Sequence, residues 1–432
     1  MPYFRNLERE FSGLLSWLDL AKEQGADTKP IVNEAEKALK EFGKRAEKLK
    51  PGLTKYEEPS QYKAILKARP KGPRKLPLDL TDAQLEDKIL GAWLGRGAGC
   101  VLGIPVEGRN KRFIELYAKK LGQPYPLAEY WKDYPDPTHF NHYSEPTENF
   151  LKGKIDHLGA DDDLIYTVLG LLILEEKGLD FTAADVANMW DKYLPMACTA
   201  ERVALDNIKK GMKPPRTALV NNPYSEWIGA AIRPDGFAYC APGLPELAAD
   251  FACRDATVSH IKNGIYGEMF WAATIAAAFA VDTPEEAMKI ALTEIPAKSR
   301  MTETVKETIR WCKADGDWEK TWARFPKRYA GMHPVHTLNN ACLTIMGLMY
   351  GGGDFEKTIS LTVMAGLDTD CTGATAGSVL GAILGARKLP AKWIKPLGDT
   401  MTTYINGHPK ESISDLVKRC CRIAKEARQR YG

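Results

Sequence analysis

Asp368 and Asp370 stand one residue apart at the head of an apolar, glycine-studded run, Met364 to Ala386, which reads MAGLDTDCTGATAGSVLGAILGA. Two carboxylates converging at the start of a buried helix can hold a hard cation on a rigid scaffold, because such ions take oxygen ligands. A D-T-D turn that only caps a core helix is the alternative reading of the same residues. A second acidic group, Asp161, Asp162 and Asp163, directly precedes LIYTVLGLLILEEKG. The N-terminal end of a helix accommodates one or two such acids through its free N–H groups and its dipole. Three in succession repel one another unless positive charge sits among them, so a divalent cation is expected there, with a solvated acidic cap as the alternative. One more carboxylate, Glu107, follows Pro105 and Val106 at the end of DKILGAWLGRGAGCVLGIPVE.

The elements that must position these acids carry an unusual pattern. Gly373, Gly377, Gly381 and Gly385 recur every fourth residue after the aspartate pair, and Gly91, Gly95, Gly99 and Gly103 do the same before Glu107. Four-residue spacing sets each series on one helical face. A helical glycine costs about 1 kcal/mol relative to alanine, so each series needs a packing reason. The spacing predicts two helices in a tight crossing, each with carboxylates at one end. A phosphate-binding loop is excluded: Gly95, Gly97 and Gly99 are followed by Cys100 and Leu102, so no G-x-G-x-x-G closes, and no strand-like run precedes them.

In order along the chain, the three segments resemble the three signature motifs of the ADP-ribosylglycohydrolase family. Gly91 to Glu107 is similar to its glycine-rich helix ending in Pro-Val-Glu, Ala160 to Leu164 to its Thr-Asp-Asp-Thr helix start, and Gly366 to Thr372 to its Gly-Gly-Asp-Thr-Asp-Thr segment. Ile228 to Pro234 and Ser259-His260 resemble its Met-Arg and Thr-His segments, so the likeness spans about residues 85 to 400. Departures accompany it. Cys100 stands where the family has an aspartate, and Cys371 where it has the last threonine. Ala160 and Asp163, or Asp161 and Leu164, flank the second motif's aspartates in place of threonines, with Asp162 a family aspartate in either register. Sulfur is a poor ligand for Mg²⁺.

The resemblance implies a hydrolase that cleaves an anomeric N- or O-ribosyl bond through an oxocarbenium-like state, with water delivered to the anomeric carbon. It implies two Mg²⁺ or Mn²⁺ ions held by Asp161, Asp162, Asp163, Asp368 and Asp370, with Thr369 or Thr372 as further oxygen donors. All-oxygen ligation favours these ions over Zn²⁺. Glu107 and Asp162 are the catalytic candidates, Glu107 as acid/base or substrate-orienting group because its position at the end of a buried helix can raise its pKa. A helix-end carboxylate paired with Arg109 or Lys111 is the alternative for Glu107. The expected substrate is an ADP-ribosyl compound or other small glycoside. Hydrolysis of a different glycoside or nucleotide-sugar on the same scaffold, and a non-catalytic relative like the crystallin of the family, are the competing readings.

Loops supply further candidates. Tyr224 and Arg233, in a polar and aromatic region with Asn221, Asn222, Glu226 and Trp227, are candidates to bind substrate, as are His336 and Asn340 before CLTIMGLMY. Arginine can take a phosphate or carboxylate and an aromatic ring can stack on a base or sugar. A core role for Trp227, an ion pair for Arg254-Asp255 and a cap for His336-Thr337 explain the same residues without a ligand. Glu145 and Glu148, in HFNHYSEPTENF, are candidates for a general base.

At 432 residues, 44% hydrophobic with net charge +3, the chain can bury a large core and shows no electrostatic preference for nucleic acid. Its longest apolar stretch, FWAATIAAAFAV, falls short of the roughly 18 apolar residues of a membrane span, so no membrane association is expected. MPYFRNLEREFSG carries scattered charge and no apolar signal core, and nine cysteines without a repeated C-x-x-C suggest reduced thiols in the cytoplasm. Residues 1–80 form a helical extension, with breaks at Pro51 and Gly52, that closes on a basic linker, KARPKGPRKLPLDL; the catalytic domain is expected over 81–432, its first helix capped by Thr81 or Asp82. Strand-like alternation is scarce. The expected fold is all-α, a compact multi-helix bundle with long functional loops.

Overall fold

A computed structural model describes residues 4–49, 52–135 and 141–432; Pro51 and the start of the 139–150 loop lie outside them. The chain is 63% helical, and its strands are short, so the all-α expectation holds. It divides into two compact units, Met1–Lys55 with Pro326–His333, and Tyr56–Phe325 with Pro334–Gly432.

The smaller unit contributes helices Arg5–Glu23 and Lys29–Glu47, the second started by a proline in its first turn. Neither contains a buried residue. Trp17 is 72% exposed and Phe42 60% exposed.

At the centre of the larger unit lie Asp82–Gly103 and Thr369–Leu384. Thr81 starts the former with a reciprocal capping box, accepting from the Gln84 N–H while the Gln84 side chain accepts from Thr81 N. The two helices run antiparallel, glycine against glycine. A Cβ added to Gly91 would stand 2.5 Å from the Gly381 carbonyl oxygen, and one on Gly373 equally close to that of Gly99. Gly95 meets Gly377 in the same way from both sides, and Gly103 abuts the backbone of Thr369 and Asp370. Each rung therefore brings backbone against backbone, which only a residue without a side chain permits. The ends are fastened as well. Thr369 Oγ1 donates to the Gly103 carbonyl at 2.8 Å, and Lys88 Nζ donates to the carbonyls of Ala382 (3.0 Å) and Ile383 (2.7 Å), where a cation complements the helix C-terminus.

Around this pair pack Asp162–Lys177, the wholly buried Asn263–Ala278, Thr337–Gly351, Phe355–Met364 and Ile413–Tyr431. Short antiparallel strands, Thr400–Thr402 with Lys410–Ser412, close one side. Asp82 to Val106 is long and apolar enough to cross a membrane, yet 94% of its most apolar 18-residue window is buried in protein, as a core helix is. All nine cysteines are free thiols.

The basic stretch differs from the solvated linker expected of it. Arg69 and Arg74 converge on Glu294, whose side chain is fully buried, at 2.5 and 2.6 Å, and Arg69 also pairs with Glu246. Leu76 N donates to the Gly243 carbonyl at 2.8 Å. Desolvating Glu294 without partners would be costly, so the arginines are structural. This stretch lies within the larger unit.

Candidate active site

Because the glycine helices run antiparallel, the end of one meets the start of the other. After Gly103 a short 3-10 turn, Ile104–Val106, delivers Glu107. The next residues are bonded to the strand-like turn before the partner helix: Gly108 N donates to the Leu367 carbonyl (2.8 Å), and Leu367 N to the Arg109 carbonyl (2.9 Å). Leu367 sits at φ +69° and Gly366 at +89°, so this turn is left-handed at both positions, and a Cβ on Gly366 would strike the Arg109 carbonyl. Asp368 follows at the helix cap. Glu107, Asp368 and Asp370 place carboxylate oxygens within 4.8 Å of one another.

The third segment joins them. Asp161 caps Asp162–Lys177, its Oδ1 accepting from Asp163 N at 2.8 Å, while His142 Nε2 meets its Oδ2 at 2.7 Å. One aspartate of the three is thus the helix cap. Asp161, Asp162 and Asp163 form a second group within 4.8 Å, and Asp163, Asp370 and Cys371 a third. Shared members make the groups one centre. Behind it lies Arg96, fully buried, which donates to the Asp163 carbonyl (2.8 and 2.6 Å) and the Ile232 carbonyl (2.7 Å) and pairs with Asp163 (3.2 Å) and Asp235 (2.8 Å). Asp235 in turn accepts from Ser378 Oγ at 2.5 Å and Tyr239 Oη at 3.1 Å.

This much negative charge shifts the titration of the acids. Burial, then repulsion from neighbouring acids with Asp161 foremost, drives Asp162 and Asp163 well above the ordinary carboxylate range. Burial, then Glu107 and Asp368, does the same to Asp370. Glu107 is reached by water, but the protein crowded around its carboxyl desolvates it, and with repulsion from Asp368 and Asp161 pushes it up to about 7, against the pull of His142. Burial opposes charge on His142, but its bond to Asp161 raises it above its usual value. Asp163 Oδ2 and Asp370 Oδ1 are buried and accept no hydrogen bond. An interior carboxylate oxygen without a donor is destabilising, and a cation is a partner that fits two buried acids with carboxylate oxygens within 4.8 Å of each other. Thr369 and Thr372 donate their hydroxyls to backbone carbonyls, of Gly103 and Asp368, each at 2.8 Å.

Two of the expected substrate-binding residues approach this centre. Asn340 Oδ1 accepts from Asp368 N at 3.3 Å, and its Nδ2 donates to the carbonyls of Pro334 (2.7 Å) and His336 (3.0 Å). His336 caps Thr337–Gly351, its Nδ1 accepting from Leu338 N at 3.2 Å, and its backbone bridges Trp227. Tyr224 packs edge-on against Trp227, with ring centroids 4.7 Å apart. Arg233 lies elsewhere. It is 1% exposed, paired with Asp255 (2.5 Å), Glu268 (3.3 Å) and Glu201, and its guanidinium lies over the Trp190 ring. Three buried acids need that cation, so Arg233 serves the interior rather than an incoming anion. Glu145 accepts from Thr402 Oγ1 (2.5 Å) and Asn149 (3.1 Å), bonds that hold it below the usual range despite partial burial, and Glu148 is exposed. Glu226 is bound to Arg300 at 2.8 Å. His142, Arg96 and Asp235 were not among the sequence candidates. An arginine inside an apolar glycine run was the available signal for Arg96; nothing local marks the other two.

A family model described as ADP-ribosylglycohydrolase matches residues 81–431. Among solved structures, one described as an ADP-ribosylglycohydrolase-related protein complex is similar, with a TM-score of 0.53 and 17% identity over 80% of this chain and 99% of that one. At that identity the likeness supports the fold alone. No curated protein matches in sequence.

Proposed function

Since this chain belongs to the ADP-ribosylglycohydrolase family and is thereby a glycoside-cleaving hydrolase, we propose that it hydrolyses the anomeric bond of an ADP-ribosyl compound, N- or O-linked, at the acidic centre. The observation that carries this is the meeting of Glu107, Asp368 and Asp370 with the Asp161–Asp163 group around two buried, unpartnered carboxylate oxygens.

Asp161, Asp162, Asp163, Asp368 and Asp370 would hold divalent cations, Mg²⁺ or Mn²⁺ where all donors are oxygen. Such ions supply the positive charge that lets these acids share one cavity, order sugar hydroxyls and lower the pKa of a bound water. The protein's own groups do the rest. Glu107, with a pKa of about 7, can carry a proton at neutral pH or release it, as a general acid or base must. Asp162, the half-buried member of its triplet, is the second candidate to face the reacting carbon. His142 fixes the Asp161 carboxylate and Asn340 fixes the Asp368 backbone, so the acids keep one geometry. Tyr224 and His336, both set against Trp227, would be the groups to meet a sugar or base. Arg233 is reassigned to the scaffold. Nine free thiols suit a reducing setting such as the cytoplasm.

A different small glycoside is the second reading, favoured by Cys371 and by the residues flanking the second motif's aspartates, Ala160 and Asp163 or Asp161 and Leu164, where the family pattern has threonines. A screen of ADP-ribosyl and other glycosides with Mg²⁺ and Mn²⁺, beside an Asp368→Ala control, decides between them. Metal-dependent turnover of an ADP-ribosyl substrate, lost in the control, is the expected outcome; turnover only of other glycosides selects the second reading, and none at all refutes both.

A further inference from the structure

Cys371 is buried one residue beyond Asp370, and its sulfur lies within 4.8 Å of carboxylate oxygens of both Asp163 and Asp370. A buried cysteine usually behaves as a small hydrophobe among apolar neighbours. This one faces carboxylates instead. A thiol has one S–H, a weak donor, so it cannot serve both Asp163 Oδ2 and Asp370 Oδ1, which are buried and accept no hydrogen bond. Oxygen, oxygen and sulfur converging on one point form a donor set of a different kind from the all-oxygen group of Asp161, Asp162 and Asp163 beside it.

We propose that Asp163, Asp370 and Cys371 build an inner cation position that selects a thiophilic divalent ion of the Zn²⁺ or Co²⁺ class over Mg²⁺, leaving the oxygen-lined outer position to Mg²⁺ or Mn²⁺. This rests on the reading of the acidic centre as a metal site. On binding, the Cys371 S–H bond breaks, the proton leaves to solvent, and the sulfur lone pair makes the bond to the metal. The negative charge so created is balanced by the ion, which also gives the two orphaned oxygens their partner. Thiolates favour ions of this class, whereas Mg²⁺ dehydrates reluctantly and prefers oxygen.

The full-length protein, stripped of metal, is titrated with Co²⁺ or Cd²⁺ and followed by absorbance, beside Cys371→Ser, Cys371→Thr and Cys100→Ser. Thermal shift with Mg²⁺ is measured on each. The expected result is a thiolate-to-metal charge-transfer band that saturates in the wild type and in Cys100→Ser and is absent in both Cys371 variants. Co²⁺ affinity in those variants should fall by about 10–100-fold or more, since even losing a group that only orients a ligand costs that much. Mg²⁺ should raise the melting temperature of all four proteins. A band that survives in the Cys371 variants, or vanishes in Cys100→Ser, overturns the assignment. No band despite a Mg²⁺ shift refutes the sulfur ligand while the metal site stands; no response to any divalent ion refutes both. Cys371→Thr keeps an oxygen at the same atom, so a fold lost in the serine variant does not remove the comparison.

Discussion

Helices Arg5–Glu23 and Lys29–Glu47 bury no residue, whereas every residue from Gly91 to Gly103 and from Thr369 to Ala382 is buried. Both pairs follow rules that make good helices. The N-terminal pair is rich in strong helix formers such as Leu, Lys, Glu and Ala, and propensity alone supports it. The glycine pair defies propensity at every fourth position and is held by what it touches. Local preference can make a helix, but it cannot fix a carboxylate to within an ångström. Glu107, Asp368 and Asp370 stand at the ends of the pair whose backbones are in contact, where tertiary contact removes the freedom that local preference leaves.

The sharpest way to break that contrast is a side chain in the ladder. Gly95→Leu or Gly381→Leu should unfold the larger unit or leave it aggregated, because the clash is with a backbone carbonyl that cannot rotate away. Overpacking of this kind costs about 1–3 kcal/mol even where neighbours can yield. Circular dichroism melts check it; wild-type stability in both variants would mean the rungs do not touch.

Glu107→Gln comes next. It keeps shape but loses the ionisable proton, so turnover should drop by roughly 10²–10⁴ while folding and cation binding persist. Unchanged turnover on a substrate found by the glycoside screen would leave Glu107 as a helix-end carboxylate only.

A smaller effect is the pH dependence of cation stabilisation. Asp162, Asp163, Asp370 and Glu107 titrate above their unfolded values near about 4, Glu107 at about 7. Between those limits the folded, metal-free protein binds more protons than the unfolded chain, so its stability falls as pH rises through that window. Cations that bind the ionised acids reverse the loss, and the Mg²⁺ or Mn²⁺ gain in melting temperature should be larger at pH 8 than at pH 5. Asp162→Asn and Asp368→Asn should shrink it. A gain independent of pH would point to binding elsewhere. Smallest of all, Trp17→Ser with Phe42→Ser should move stability by no more than about 0.5 kcal/mol, since both side chains already face water. A large loss in the melt would show that the N-terminal pair is buried by something.

How far such contrasts could be read from the amino-acid string depended on range. The glycine spacing names a helix face by itself, and its recurrence beside acids pointed to two helices in a tight crossing. Thr81 announced its capping box because Gln84 is three residues away. Arg233 misled because its partners Glu201, Asp255 and Glu268 come from three separate helices, and only the assembled core reveals that an arginine there is already claimed. The same holds for Arg69 and Arg74, which read as solvated until Glu294 is folded against them. His142 was hidden for a different reason: its loop has no periodicity, so nothing local tied it to Asp161.

A ladder of identical rungs is also a ruler with ambiguous marks. Sliding one glycine helix past the other by a single rung shifts it four residues, about 6 Å, and most glycines would still find a glycine opposite. Such a slipped arrangement would be nearly as compact as the native one, yet it would carry Glu107 a full rung away from Asp368. What tells the registers apart is found only at the ends. Lys88 reaches the terminal carbonyls of Ala382 and Ile383, and Thr369 reaches Gly103, in one register alone. These inexpensive end clasps therefore act as the zero mark of the scale. Weakening them with Lys88→Met or Thr369→Val would cost modest stability but would admit an off-register trap during folding, in which a well-packed protein has the two halves of its acidic centre misaligned.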